Sequence, residues 1–341
     1  MIHVGLDMHK RFSQLAALDD AGELIAKEKL YHDDQPAISQ YFRDLDDKTT
    51  VALEATRSWY WLYELLEAEG VTVKLVNPRK VRLIAESTVK TDKIDAQVLA
   101  DLERIGYLPQ AYIPPREVRD NRELLRYRMM LVHDRSRFKN AIHAVIDKLG
   151  IVHHFTDLFS PSGRIFLAEL ELRPVYRKAI DGYLGLIQVL DQKITAVTNE
   201  IKALLKPDQR ADLLMSIPGI GQLTAYLLLN EIGDIERFSS ARKLCAYAGL
   251  IPSTHQSGDH TRHGSITKAG NRYLRWSMTE AAQKAPGKDG RLGRFYCRIA
   301  LRRGKPRARI AVARKIMAAV YRVWSRGESY RVIPVKNVKS S

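Results

Sequence analysis

The sequence predicts a multidomain protein with an α/β unit first, a region of long helices next, and a mostly helical, basic region last. Three observations predict it. Short apolar runs of strand type alternate with helix-type patterns through the first hundred residues. A seven-residue apolar repeat runs through residues 175–205. Charge is also divided along the chain: net −5 over residues 1–110, +4 over 111–205 and +17 over 206–341, within a total of +16 for 341 residues. The domains expected are therefore 1–110, 111–206 and 207–341.

Taken in order, residues 2–7 form an apolar run that ends on Asp7, and residues 14–18 and 23–30 read as two more strands turned at Asp20-Ala21-Gly22. A helix is expected over 36–45. A strand at 50–53 runs straight into Glu54, a helix over 59–69 is stopped by Gly70, and another strand covers 71–76. Pro78 opens a helix, and residues 92–104 form a further one. Three early strands followed by alternating helices and strands predict a mixed sheet covered by helices, the order of the ribonuclease-H-like architecture.

Pro114-Pro115 breaks the chain before a long helix at 116–149, and a second long helix covers 175–205. In the second, Ile180, Ile187, Ile194 and Ile201 occupy one heptad row, and Tyr183, Leu190, Val197 and Leu204 the other. Such a seam suits a coiled coil between copies of the chain or, equally, an internal hairpin with the preceding helix. Residues 213–221, ending Pro218-Gly219-Ile220-Gly221, precede an apolar helix at 223–232 in the manner of a helix-hairpin-helix. Gly219 and Gly221 would let backbone N–H groups face a phosphate there. A helix at 242–250 leads to a Gly/Ser/His-rich loop, 252–270, and basic helices at 291–303 and 306–326 end the chain.

The charge balance points to polyanionic partners, because Lys and Arg that neutralise phosphates release condensed counterions. No apolar run approaches the roughly 20 residues of a membrane span, and the first residues lack a signal peptide's apolar core. Cys245 and Cys297 are far apart and have no CxxC companion, which argues against a disulfide framework or a cysteine zinc site and fits a reducing cytoplasm.

Two groups of residues carry chemistry. Asp7 and Glu54 close apolar strands, where a carboxylate is expensive to bury without a task, and Asp92 and Asp95 share one helix face. Hard oxygen ligands converging from separate elements are what a divalent ion at a phosphoryl-transfer site needs, although any one of them alone suits a solvated surface. The loop 252–270 offers hydroxyls beside cations (Arg262, Lys268, with Arg272 and Arg275 just after it) and the bases His255, His260 and His263. An activated serine nucleophile, a phosphate-binding loop and a three-histidine zinc site all remain open on these residues.

With GLDMHK around Asp7, ALEAT around Glu54, KTDKIDAQVLA around Asp92 and Asp95, then SIPGIG and AYAGLIPSTHQSGDHTRHGSITKAGNRYLR, the whole chain resembles the insertion-sequence-110 transposases, and most nearly their 1111 subgroup. The resemblance implies a RuvC-like DEDD domain holding Mg²⁺ or Mn²⁺, a helical linker that builds a dimer or tetramer, and a C-terminal domain with a nucleophilic serine. Carried over, the DEDD set falls on Asp7, Glu54, Asp92 and Asp95, and the serine on Ser257, with Ser253 and Ser265 as neighbours for comparison. Arg57 departs from the glycine often found after EAT. The resemblance also implies a structured guide RNA that pairs with donor and target DNA, and a cytoplasmic, nucleoid-associated protein. The expectation is an RNA-guided serine recombinase. Its rivals are a metal-dependent endonuclease of Holliday-junction-resolvase type, with water as nucleophile, and a non-catalytic, oligomeric nucleic-acid-binding protein.

Overall fold

Strands β1 (Ile2–Met8), β2 (Phe12–Leu18) and β3 (Leu24–Tyr31) form an antiparallel meander. After helix α1 (Gln35–Arg43), strand β4 (Thr49–Glu54) joins β1 in parallel. Helix α2 (Trp59–Ala68) crosses over to β5 (Thr72–Val76), parallel to β4, and the unit closes with α3 (Pro78–Ile84) and α4 (Asp92–Arg104). The sheet order is β3-β2-β1-β4-β5, a mixed sheet as the strand pattern predicts. This computed structural model describes residues 1–45, 48–56, 58–84, 92–204, 208–257 and 260–334, and the chain forms two units, Met1–Ile113 and Pro114–Ser341.

Side chains alternate across a strand, so each sheet face has its own partner. Val4, Leu6, Leu15, Val51 and Leu53 pack on Ile38 and Phe42 of α1 and on Trp59, Leu62 and Leu66 of α2. Burying each such side chain stabilises by about 1.5–3 kcal/mol. The opposite face carries small residues, and α4 lies close against it. A Cβ on Gly5 would fall 2.0 Å from the Ala96 carbonyl oxygen and 2.7 Å from the Ala100 nitrogen. Next to this contact, the buried Glu103 of α4 pairs with His3 Nδ1 of β1 and, at 2.6 Å, with Lys74 of β5.

The second unit begins with α5 (Arg116–Lys148), α6 (Pro161–Glu169) and α7 (Pro174–Leu204). Ile142 and Ile146 of α5 meet Ile180 and Ile187 of α7, while Leu125 and Leu131 meet Ile194, Val197 and Ile201. The two helices are therefore antiparallel, and the isoleucine row of the heptad repeat is buried within the chain, as in the internal hairpin. An ion pair and a hydrogen bond set the register, with Arg135 Nη1 2.9 Å from Asp191 and Arg128 Nε donating to the Thr198 hydroxyl at 2.7 Å.

Helices α8 (Gln209–Met215), α9 (Gln222–Ile232) and α10 (Ala241–Tyr247) precede a hairpin of β6 (Pro252–Ser257) and β7 (His260–Ile266), followed by α11 (Arg272–Lys284), α12 (Gly290–Arg303) and α13 (Lys305–Arg326). Leu228, Ile232, Leu244, Leu274, Met278, Val312, Ile316 and Val320 form one core around α13. Residues 252–270, expected as an open loop, are largely this hairpin. β-branched Thr254, Thr261 and Ile266 favour extended backbone, and the Gly258-Asp259 dipeptide between the strands is a hairpin signal; those two residues lie outside the described ones. Among the described residues no helix is long and apolar enough to cross a membrane.

After α13 the chain returns to Asp289, the N-cap of α12, a fully buried carboxylate that accepts from the N–H groups of Arg291, Leu292 and Ile333. Burial opposes its charge, but those backbone donors and Arg291 outweigh it and hold the carboxyl below the usual aspartate range. A depressed folded value means stability that is present above the unfolded pKa of about 3.9 and lost as pH falls through the folded one. Asp289→Asn should therefore lower the urea midpoint near neutral pH, with the difference from wild type closing below about pH 4. Gly5→Ala should lower that midpoint at every pH, by about 1–3 kcal/mol in stability, because α4 must move off the sheet.

Candidate functional site

Asp7 is the penultimate residue of β1 and Glu54 the last of β4. The parallel register pairs Leu6 with Leu53, so the next step along both strands brings Asp7 beside Glu54 at the strand ends. Helix α4 runs the opposite way across the same face: His3 meets Glu103, and Gly5 lies against Ala96 and Ala100. Two residues further along β1, Asp7 reaches the level of the first turn of α4, which starts at Asp92 and includes Asp95. Sheet and helix thus bring four carboxylate-bearing positions to one end of the unit. Asp7 is mostly buried, and His9 Nε2 lies 3.0 Å from its Oδ2. Among the described side chains no three carboxylate, His or Cys groups close into a metal-binding cluster; that of Asp92 lies outside them, as does Arg57 altogether.

The second group sits on the β6–β7 hairpin. Ser257 ends β6 and pairs with His260, Thr254 pairs with His263, and His255 with Arg262; the side chains of 255–257 and 260–263 lie outside the described ones. At the base, Gly264 allows close approach, since its Cβ would fall 2.4 Å from Ser253 Oγ, while Ser265 is exposed. Gly270, at φ +132°, has the Tyr247 carbonyl oxygen 2.3 Å from where a Cβ would stand, so only glycine fits. Lys268, exposed, is held at φ 52°, the left-handed region that a lysine seldom adopts. Arg275 Nη1 donates to the carbonyls of Ala248 and Lys268, both at 3.1 Å, which ties the returning strand to α10; burial lowers the pKa of its guanidinium.

Asn271 caps α11 through the N–H groups of Tyr273 and Leu274 and donates its Nδ2 to Glu231 at 2.6 Å. Glu231, fully buried on α9, also accepts from Arg126 Nε and Nη2 of α5 at 2.8 and 2.9 Å. Arg122 of α5 donates to the carbonyl oxygens of Asn230 and Glu231. The ring of Tyr273 lies near two guanidinium groups, those of Arg126 at 4.7 Å and exposed Arg272 at 4.9 Å. This node escapes sequence reasoning, because Arg126 and Asn271 lie 105 and 40 residues from Glu231. The one signal is a glutamate inside the apolar run LLLNEI.

The glycine turn divides its work. Gly219, at φ +89°, would put a Cβ 2.5 Å from the Ala281 carbonyl oxygen and is required for packing, whereas Gly221 is the N-cap of α9 with open space where a side chain would be. Cys245 is buried, its thiol pKa raised by that burial, and Cys297 is exposed. From residue 290 to 327 there are 12 Lys/Arg and no acidic residue.

Residues 4–151 match the DEDD-type transposases of IS110, and residues 211–297 match the family described as Transposase IS116/IS110/IS902. Together the matches take in more than two thirds of the chain, and they include both groups of residues described above. The chain belongs to this transposase family. Relatives align along nearly all of it. A transposase for insertion sequence element IS1111A from Coxiella burnetii is 26% identical, over 96% of this chain and 91% of the relative. A probable family 20 transposase from Pseudomonas aeruginosa is also 26% identical, over 96% and 98%. A transposase for IS1328 from Yersinia enterocolitica is 28% identical over 72% and 74%. A member of the IS116/IS110/IS902 transposases is an enzyme acting on DNA, and in this one the second unit turns on the Glu231 node.

Removing one partner from a buried ion pair leaves an uncompensated charge and costs about 3–5 kcal/mol. Glu231→Ala should lower stability by about that amount, read as a fall in the thermal unfolding midpoint. Arg272→Ala, at an exposed position, should change stability by under about 0.5 kcal/mol.

Proposed function

We propose that this transposase cuts and rejoins donor and target DNA under the direction of a structured RNA, with Ser257 as nucleophile and a divalent ion, Mg²⁺ or Mn²⁺, held by Asp7, Glu54, Asp92 and Asp95. The observation that carries the reading is the shared end of β1, β4 and α4. The sheet order β3-β2-β1-β4-β5 supports a ribonuclease-H-like, RuvC-like unit, in which two carboxylates end neighbouring parallel strands and two more open the helix lying across them. Carboxylates are the hard oxygen donors that Mg²⁺ prefers, so the donor set fits. When bound, such an ion polarises a phosphate and stabilises the charge of phosphoryl transfer.

The rest of the chemistry belongs to the protein's own groups. Ser257 Oγ attacks a backbone phosphorus, the bond from phosphorus to the leaving sugar oxygen breaks, and the serine proton ends on that oxygen. A phosphoserine–DNA link forms, and a second sugar hydroxyl reverses the step to join new strands. His255, His260 or His263 takes up the proton, and Arg262, Lys268 and Arg272 balance the phosphate charge. Support for a hairpin of this kind comes from its base, where Gly270, Arg275 and Asn271 fix the strands to α10 and α11. The turn at Gly219 and Gly221, read as a helix-hairpin-helix, and α12 with α13 hold nucleic-acid backbones, so base pairing with the RNA selects the sequence. The oligomer is a dimer or tetramer, and Leu186 and Val189, about half exposed on α7, support a face left for another copy.

A trapping assay tests the reading: protein, RNA, labelled DNA and Mg²⁺, separated on a denaturing gel with and without protease. Wild type, Ser253→Ala and Ser265→Ala should give a protease-sensitive DNA adduct. Ser257→Ala should give none, and Asp7→Ala or Glu54→Ala should reduce cleavage at least a hundredfold. Cleaved DNA without an adduct would instead assign the attack to water, as in a resolvase-like endonuclease. An adduct surviving in Ser257→Ala would sink the serine assignment.

A further inference from the structure

The face of the sheet that bears Asp7 continues past it. Asp7 pairs with Gln14 and Gln14 with Lys29, while Phe12 pairs with Tyr31. Paired residues point to one side and alternate residues repeat it, so Asp7, Gln14, Lys29, Phe12 and Tyr31 share a face. Beside Asp7 that face opens into a cleft of about 1030 Å³, its lining including His9, Lys10, Arg11, Phe12, Lys29 and Tyr31, with Asp33 the one acid. The volume is at the upper end of ordinary ligand clefts, about 300–1,000 Å³.

Its chemistry contradicts its surroundings. The first 110 residues are net negative, yet here three exposed cations frame two aromatic rings. Lys29 Nζ stands 4.0 Å from the Phe12 ring centre and 5.2 Å from that of Tyr31, holding the pair together by cation–π attraction. Tyr31 is 55% exposed on an edge strand, where a large aromatic ring has no packing task. His9 joins the cleft to the carboxylates, stacked on Phe12 at 4.7 Å and 3.0 Å from Asp7. Aromatic faces beside cations are the combination that binds single strands, since an unstacked base can lie on a ring while its phosphates meet the charges.

We propose that this cleft is a subsite for single-stranded nucleic acid, stacking one base on Tyr31 and Phe12 and binding the flanking phosphates with Lys10, Arg11 and Lys29, so that the strand leads on to Asp7. The proposal rests on the reading that the carboxylate end acts on nucleic acid. A duplex does not fit this chemistry, because its bases are stacked on one another.

The test uses the full-length chain in excess chelator, so that binding is read without cleavage. Short single-stranded DNA and RNA carrying 5-iodouracil are photocrosslinked to it in turn, and the adducts are mapped by peptide mass spectrometry. Adducts at Tyr31 or Phe12 are expected. Tyr31→Ala should reduce their yield about fivefold or more and Tyr31→Phe should preserve it. Lys10→Ala with Arg11→Ala should lower the salt slope of adduct formation by up to about 1.4, at about 0.7 per lost phosphate contact. Adducts with DNA alone assign the subsite to a DNA strand, with RNA alone to the guide, and either supports the proposal. Adducts confined to residues 114–341 with both probes overturn it. Failure of the carboxylate reading would appear elsewhere, as Mg²⁺-dependent cleavage that survives Asp7→Ala.

Discussion

Glu231 is wholly removed from water, and the second unit is organised around satisfying it. An ionised carboxylate in such a place is tolerated only if every lone pair finds a donor. The donors come from two other elements, the guanidinium of Arg126 on α5 and the amide of Asn271 at the head of α11. Hydrophobic contact would let these helices slide by fractions of a turn at little penalty, whereas a two-pronged guanidinium–carboxylate pair has one geometry. Helix α5 then carries α7 along its length, and Asn271 fixes where the chain leaving the hairpin must enter α11. The position of the serine strand is therefore a distant result of one buried charge.

The first unit is positioned by shape instead. Gly5, Ala52, Ala96 and Ala100 leave no room between the sheet and α4, so the helix has one depth and one level along β1. Only a side chain of zero size permits that approach, and it is what brings the acidic first turn of α4 level with the ends of β1 and β4. Charge then closes the far end, where Glu103 meets His3 and Lys74. The two units use opposite means, steric in one and electrostatic in the other, to place groups that are read as working on the same phosphate chemistry.

Much of this was legible from residues, and the rest was hidden for identifiable reasons. The strands were readable because apolar runs such as residues 2–6 and 51–53 stop on a carboxylate, and Asp7 and Glu54 do lie at the ends of β1 and β4. The heptad row in α7 was readable as a seam, but a seam does not name its partner; α5 covers it within the chain. The hairpin at 252–266 was obscured by its polar composition, which lacks the apolar alternation that marks a half-buried strand. Arg275 reads from its charge as a phosphate ligand, while its tie through Nη1 to the carbonyl oxygens of Ala248 and Lys268 leaves no mark in the sequence. Contacts such as Arg126 with Glu231 leave no mark in local pattern at all, because the attraction acts through space and the pattern only along the chain.

The acid-free stretch that forms α12 and α13 has a consequence for the stability of the protein. Two adjoining helices with a dozen positive charges and no acidic residue of their own repel themselves, and beyond local pairs such as Arg291 with Asp289 the repulsion is relieved by salt or by a bound polyanion. Whatever binds the folded form and not the unfolded one deepens the folded well by mass action. On the function proposed above, nucleic acid supplies the opposing charge. Nucleic acid bound along these helices would therefore raise the stability of the folded chain, and more so at low salt than at high.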